Sequence, residues 1–493
     1  MLMSVPFNNS YVQLPERFYS RQLPTKVETP GLIRANPNLA QLLGIDPVWL
    51  SSDDGIATMA GNLLPEGADP IATVYAGHQF GSWNPQLGDG RAILLGEIIG
   101  TDGERYDLQL KGSGQTPYSR MGDGRAPLGP VMREYIVSEA MAALGVPTSR
   151  SLAAVTTGEP VHREETLPGA VLARVAKSHI RIGTFQFFAS KEDKEALGLL
   201  VNHVLERHYP SAIKAGASLN TRALRLLDEV MQAQAKLVAS WQMIGFIHGV
   251  MNTDNVLLSG ETIDYGPCAF MDTYNPETVF SSIDHGGRYA YRNQPGIAHW
   301  NMACLAQALV PVLAEKEENA IEIAKEALDK FPAYFLDANV SGMQRKLGLA
   351  THHGDDEILA KDFLDLLEAH QLDFTLSFRR LSELSGTAPE ANVSSLAGFP
   401  SAFDAWMARW KTRLDTEDNP TRQQDMLSTN PAIIPRNHLI EESIVAASAE
   451  GNFDLFNKLV DNLANPFDLT GVDVRFVNKP KPEQVVRQTF CGT

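Results

Sequence analysis

An amide oxygen and two carboxylates lie close together in the stretch His248 to Gly266, HGVMNTDNVLLSGETIDYG. Asn255 and Asp264 offer the hard oxygen ligands that Mg2+ takes from protein, one or two at a time, with phosphates and water filling the other positions. Asp254 is a further carboxylate, next to Asn255. The plainer alternative is that Asp254 and Asn255 cap one turn and Asp264 sits in another. Upstream, Lys111 ends an alternating run, and Glu134 lies in the helix pattern that follows. A compact ammonium suits diphosphate oxygens, and a glutamate would fix its rotamer. A surface lysine and a helix-start glutamate give the same pattern, so this pair is weak evidence alone.

Two copies of Gly-Asp-Gly-Arg-Ala, at 88–92 and 122–126, supply Gly88, Gly90, Arg91, Asp123 and Gly124. Glycines let backbone N–H groups come close to phosphate, and a neighbouring arginine can clamp it. Each copy is equally a tight turn. Arg174 and Arg181, on neighbouring strand-like pieces, could hold a polyphosphate, although spacing alone favours two surface arginines. His248 reads as a structural histidine that bonds the backbone of its own loop.

The elements that must position these groups follow a simple order. Residues 1–70, rich in Pro and Asn, read as an arm packed on the rest. Residues 71–188 read as a β-rich lobe, with strands at Arg91–Ile99, Tyr106–Lys111, 170–176 and 179–185. A helix over 131–144, stopped by Gly145, carries Glu134 in its first turn. Residues 189–415 read as a helical lobe holding the catalytic and metal loop. Its long helix runs through Leu227, Val230, Met231, Leu237, Val238, Trp241 and Ile244 to Gly245. The loop beyond is expected to form a hairpin, with Val256-Leu257-Leu258 and Thr262-Ile263 as strands and a turn near Gly260-Glu261. Further helices are expected at 317–334, 360–385 and 438–463, the last within a helical extension and tail over 416–493. The class is α+β.

Composition narrows the function. Lys plus Arg is 42 and Asp plus Glu is 59, a net charge of −17 with no basic block, which argues against nucleic acid as partner. Cys268, Cys304 and Cys491 are too few for a disulfide framework or a cysteine zinc site. The first residues lack a signal-peptide pattern, and the best apolar run, Cys304 to Ala314, is short for a membrane span. A cytoplasmic, reducing setting with no membrane partner is expected. Neither G-x-x-x-x-G-K-[ST] nor G-x-S-x-G occurs, and no paired acids follow Gly112-Ser113-Gly114.

The spacing His248 to Asn255, followed by Asp264-Tyr265-Gly266, resembles the H-R-D-x-x-x-x-N and D-F-G of protein kinases, with Val250 in the slot of the catalytic Asp. Beyond that, the runs YAGHQFGSWNPQLGDGRA, KGSGQTPYSRMGDGRAPLGPVMREYIVSEAM, HGVMNTDN, DYGP and NPAIIPRNHLIEE closely resemble the SelO (selenoprotein O or YdiU) family of pseudokinase-like protein adenylyltransferases. The resemblance covers nearly the whole chain. It implies a protein-kinase-like two-lobed fold with an N-terminal arm and a helical C-terminal extension. It also implies ATP bound in a flipped orientation and AMP transfer to Ser, Thr or Tyr hydroxyls of proteins. By motif match, Lys111 and Glu134 form the strand–helix ion pair, and Asn255 and Asp264 hold Mg2+, or Mn2+ in its place. Asp254 is then the proton acceptor, and Gly88, Gly90, Arg91, Lys111, Asp123, Gly124, Arg174, Arg181 and Asp264 surround the nucleotide. Cys491 stands where eukaryotic members carry selenocysteine, as expected of a bacterial member. Alternatives are a UTP-type donor, γ-phosphoryl transfer, or an inactive nucleotide-binding scaffold. A regulatory Cys268–Cys491 disulfide is a further expectation, set against a buried Cys268 and an idle terminal thiol.

Overall fold

The computed structural model describes residues 5–386 and 399–489. An antiparallel sheet occupies the first part and helices the second, the α+β, two-lobed order expected of a protein-kinase-like chain. The strands are β1 (Tyr19–Arg21), β2 (Gly31–Ala35), β3 (Ile71–Thr73), β4 (Gly77–Gln79), β5 (Ser82–Asn84), β6 (Ala92–Ile99), β7 (Arg105–Lys111), β8 (Ala126–Pro127), β9 (Arg150–His162) and β10 (Thr166–Ala176). The main sheet runs β1-β3-β6-β7-β10-β9-β2, with β8 on β10, while β4 and β5 form a separate hairpin. Both edges of the main path, β1 and β2, come from the arm. The long strand β9 has no counterpart in the sequence expectations.

The arm also supplies the short helices α1 (Pro37–Leu42), α2 (Pro47–Leu50) and α3 (Asp53–Met59). Leu39, Leu43, Leu50 and Met59 pack with Leu108 and Leu110 of β7 and with Ala173 and Val175 of β10. Side chains alternate across a strand. Covering that face therefore commits Asp107, Gln109 and Lys111, with Arg174, to the other. The expectation of a half-buried β7 is corrected here: its residues from Tyr106 on are buried on both faces, because the arm lies on one and a helix on the other. That helix is α4 (Leu128–Ala143), which starts earlier than expected, so Glu134 sits in its second turn rather than its first.

The segment 179–185 is not a strand. It turns at Arg181 into α5 (Ile182–Ala189). Gly183 lets this helix press on the sheet lobe, for a Cβ there would lie 2.1 Å from the Ala76 carbonyl oxygen. Next come α6 (Lys194–His208) and α7 (Leu219–Met243), whose buried stripe includes Leu227, Val230, Met231, Leu237, Val238 and Trp241. Helix α8 (Gln294–Leu313) begins well before the short apolar run read from the sequence. The span Tyr291–Leu313 is long and apolar enough to cross a membrane, yet α8 packs against α5, α7 and α9 (Glu317–Leu328).

Each of the three later expected helices is two. Pro332 opens α10 (Phe331–Leu347) after α9. Asp373 caps α12 (Phe374–Leu384) after α11 (Asp356–Ala369), its side chain accepting from the Leu376 N–H. After α13 (Asp404–Leu414) and α14 (Arg422–Thr429), Gly451 adopts the left-handed conformation that ends α15 (Asn437–Glu450) before α16 (Asp454–Leu463). Helices α15 and α16 return to lie on α4.

Candidate active site

Between the sheet and the helices lies a cleft of about 720 Å3. Its wall holds Gly88, Gly90, Arg91, Lys111, Asp123, Gly124, Arg174, Arg181, Asp254, Asn255 and Asp264. Every residue expected to serve catalysis, metal or nucleotide is thus present except Glu134, which stands one layer behind. Cationic side chains on the wall (Arg91, Lys111, Arg120, Arg125, Arg163, Arg174 and Arg181) outnumber the carboxylates of Asp89, Asp123, Asp254 and Asp264. A polyphosphate suits such a wall.

The sheet side is built by register. Arg174 pairs opposite Gln109 across β10 and β7, and its guanidinium donates to the Gln109 side chain. Glu134 reaches from α4 to accept from Lys111 Nζ, and from Arg174 Nη1 at 3.0 Å. Burial works to raise the Glu134 pKa, but Lys111 and Arg174 outweigh it and hold the side chain ionised. Lys111 also points at Asp264 Oδ1, 3.4 Å away.

The helical side does not contain the expected hairpin. Strands β11 (Phe246–Ile247) and β12 (Ala269–Phe270) pair with each other and close the segment at its base. Within it Leu257 bridges to Arg181, and Thr262 bridges to Thr148, so each half is pinned to the sheet lobe rather than to its neighbour. His248 is the internal brace: Val250 N–H donates to its Nδ1 at 3.3 Å, and its Nε2 donates to the Ile263 carbonyl at 2.8 Å. Burial pushes its pKa down, which suits that neutral tautomer. Val250 keeps a role through its backbone, since its carbonyl accepts from Asn255 Nδ2 at 3.1 Å and so orients the amide.

Asp264 sits at φ 66°, in the left-handed region. Burial would raise its pKa, but Lys111, Arg91 and Arg174 prevail and hold it far below the usual carboxylate range. Asp254 differs. Burial pushes it up to about 6, and its Oδ1 is buried without a hydrogen-bond partner among the described residues. Asn255 and Asp264 offer oxygen donors only, which fits a hard divalent cation better than a soft one. No cluster of three or more His, Cys, Asp or Glu side chains that could hold a metal occurs among the described residues.

The two repeated loops have different jobs. At Gly88 a Cβ would meet the Tyr118 ring at 2.4 Å, and at Gly124 it would meet the Gly114 carbonyl oxygen at 2.0 Å. Their glycines are needed first to pack these turns against 114–119. Asp89 points inward, accepting from Thr73 N at 3.0 Å and lying 3.7 Å from Arg181 Nη2. Asp123 points outward to Arg163, at 2.8 and 2.9 Å. Arg125 is spent on the arm, donating to the carbonyls of Thr25 and Lys26. Arg181 donates to the Asp254 carbonyl at 3.0 Å, and its guanidinium lies 4.2 Å from the Tyr75 ring centre.

Sequence reading missed Asp89, Tyr75, Asn252 and Gln79. Asp89 could have been found inside the repeated loop. Gln79 gives no local signal, because its partner Asp254 is 175 residues away. Cys268 is buried and its thiol is pushed up to about 12 by burial. Cys491 lies outside the described residues. The chain is described as far as Thr489, which bridges to Ser281 and donates to the Pro267 carbonyl.

The family model described as protein adenylyltransferase SelO matches residues 1–464. The chain is 55% identical over 496 residues to the protein nucleotidyltransferase YdiU of Rhodopseudomonas palustris strain BisB5, with 100% of each covered. It is 54% identical over 495 residues to that of Bradyrhizobium diazoefficiens, again with full coverage. A solved structure of ROP2 from Toxoplasma gondii overlaps at TM-score 0.24 and 10% identity, covering 76% of this chain and 94% of that one. A likeness that faint carries no weight.

Proposed function

Since the chain belongs to the SelO family and is a protein nucleotidyltransferase, we propose that its reaction is transfer of AMP from ATP to Ser, Thr or Tyr hydroxyls of proteins. In this reading ATP lies flipped relative to a kinase, with its α-phosphate towards Asp254. The observation that carries it is Asp254 itself: a buried carboxylate with an unpartnered oxygen, on the same wall as Asn255, Asp264 and a cationic sheet face. An ordinary kinase base would stand at Val250, where this chain has no functional side chain.

The acceptor oxygen attacks the α-phosphorus, the bond to the bridging oxygen breaks, and pyrophosphate leaves. The hydroxyl proton passes to Asp254, whose raised pKa suits a base working near neutrality. Lys111, held by Glu134, and the arginines Arg174, Arg181 and Arg91 receive the phosphate charge. Gly88, Gly90, Asp123 and Gly124 shape the loops around the nucleotide. Asn255 and Asp264 would hold Mg2+, or Mn2+ in its place, which when bound neutralises charge developing on the phosphates. The chain would act in the cytoplasm.

The deciding experiment gives the purified chain ATP labelled at either the α- or the γ-phosphate. Label retained on protein from α-ATP alone supports AMP transfer. Retention from γ-ATP alone would make the protein a kinase. Retention from neither would favour an inactive scaffold, and a stronger signal from α-labelled UTP would change the donor.

A further inference from the structure

The loop between β3 and β6 does more than carry the first Gly-Asp-Gly-Arg-Ala turn. It lays the β4–β5 hairpin across the cleft onto the segment that bears Asp254. The His78 N–H donates to Thr253 Oγ1 at 2.7 Å, the Gln79 side-chain amide donates to Asp254 Oδ2 at 3.2 Å, and the Phe80 N–H donates to Asn252 Oδ1 at 2.9 Å. Gly77 completes the fit, since a Cβ there would lie 2.9 Å from Asp254 Oδ1. The turn is strained to achieve this. Phe80 and Gly81 have φ of 50° and 84°, as a two-residue hairpin turn of this hand requires, and the first is unfavourable for a phenylalanine. Packing of the Phe80 ring on Tyr289, with centroids 5.2 Å apart, holds it there.

The other end of the loop reaches the nucleotide side. Leu87 N–H donates to the Tyr75 carbonyl at 2.8 Å and Asp89 N–H to the Thr73 carbonyl at 3.0 Å. Tyr75 is also the ring beneath Arg181. One short piece of chain therefore touches both the nucleotide turn and Asp254.

We propose that Gln79 is a positioning residue for the transfer step. Its amide fixes the rotamer of the Asp254 carboxylate, and the β4–β5 hairpin couples that rotamer to the Gly88–Arg91 turn. The inference rests on the reading of Asp254 as proton acceptor. Gln79 touches one carboxylate oxygen and Gly77 confines the other, so losing the amide frees the carboxylate to rotate out of line. Misalignment of a catalytic group lowers turnover without weakening nucleotide binding.

The test uses the full chain and follows α-labelled ATP onto the protein in single turnover, with ATP affinity measured separately by calorimetry. Gln79→Ala should lower the transfer rate roughly tenfold, with ATP affinity held within about twofold. Gln79→Glu, which keeps the length but loses the donor, should lose at least as much. Added to Asp254→Asn, Gln79→Ala should cost no more than about twofold further, because both act through one carboxylate. Full transfer in Gln79→Ala or Gln79→Glu would overturn the proposal. So would a parallel loss of ATP affinity, or an undiminished effect in the Asp254→Asn background. If Asp254→Asn alone transfers at the normal rate, the reading of Asp254 fails first, and that outcome is separate from any behaviour of Gln79.

Discussion

Asp254 and Asp264 share one loop and are driven in opposite directions. Burial lifts Asp254 to about 6, whereas Lys111, Arg91 and Arg174 overcome burial at Asp264 and keep it ionised. Two carboxylates with separated pKa values suit two tasks, one holding a proton and one holding positive charge. Below about pH 6 Asp254 is protonated and cannot accept another proton. The kcat/KM for transfer should therefore fall as pH drops through that value, and Asp254→Asn should remove the fall along with most of the rate. Asp264→Ala should abolish transfer, because the loop loses its anionic ligand and Lys111 its neighbour. Full activity in that variant, read from α-label on protein, would sink the assignment. These residues were legible because their signal is local: Asn255 and Asp264 follow one another within a single loop. Arg181 was legible as a residue but not as a position. Ile182, Thr184 and Phe185 favour strands by type, and packing against α8, α6 and the β4 segment overrides that preference.

Helix α4 is the element on which the ion pair depends. Glu134 faces inward, while its neighbour Arg133 faces the extension, donating to Asn437 Oδ1 at 2.8 Å and pairing with Glu441. Tyr135 packs edge-on against Phe456 of α16, with centroids 5.6 Å apart. Arg34 of β2 adds a bond to Asn457 at 3.0 Å. On the far side, Arg436, one residue before α15, pairs with Asp272 and with Asp373 at 2.9 Å. The extension thus grips α4 and the helical lobe together. Arg133→Leu strips the charge-assisted bonds, each worth roughly 1.5–3 kcal/mol. It should lower the melting temperature and reduce transfer, without removing any group from the cleft. An unchanged melting curve would mean that α4 stands unaided. The sequence announced α4 through its spacing and Gly145, but not what lies over it. Gly451, Pro332 and Asp373 carried the signals that split the three long expected helices. The bonds from Arg133 to Asn437 and Glu441 span 304 and 308 residues, and no local pattern encodes them.

At the scale of the whole molecule, charge is divided. The chain carries a net −17, yet the cleft wall is rich in arginine. A small anion is drawn to the cleft, while the net charge works against a long polyanion. Added salt should weaken ATP binding in calorimetry, because the Debye length falls from about 10 Å at 0.1 M to about 3 Å at 1 M. Insensitivity to salt would mean that ATP is held by shape rather than by field. The grip on α4 has one more consequence, which concerns time. Arg133 and Asn437 are 304 residues apart. At about 5–20 residues per second, a ribosome needs at least roughly 15 s to travel between them. By the end of that interval the sheet, the glycine turns and the loop that bears Asp254 and Asp264 have been made, and α4 lies on β9 and β10, but its outer face still lacks Asn437 and Glu441. A chain still being made therefore carries the Lys111–Glu134 pair on a helix supported from the sheet side alone, and the outer support arrives only with α15 and α16.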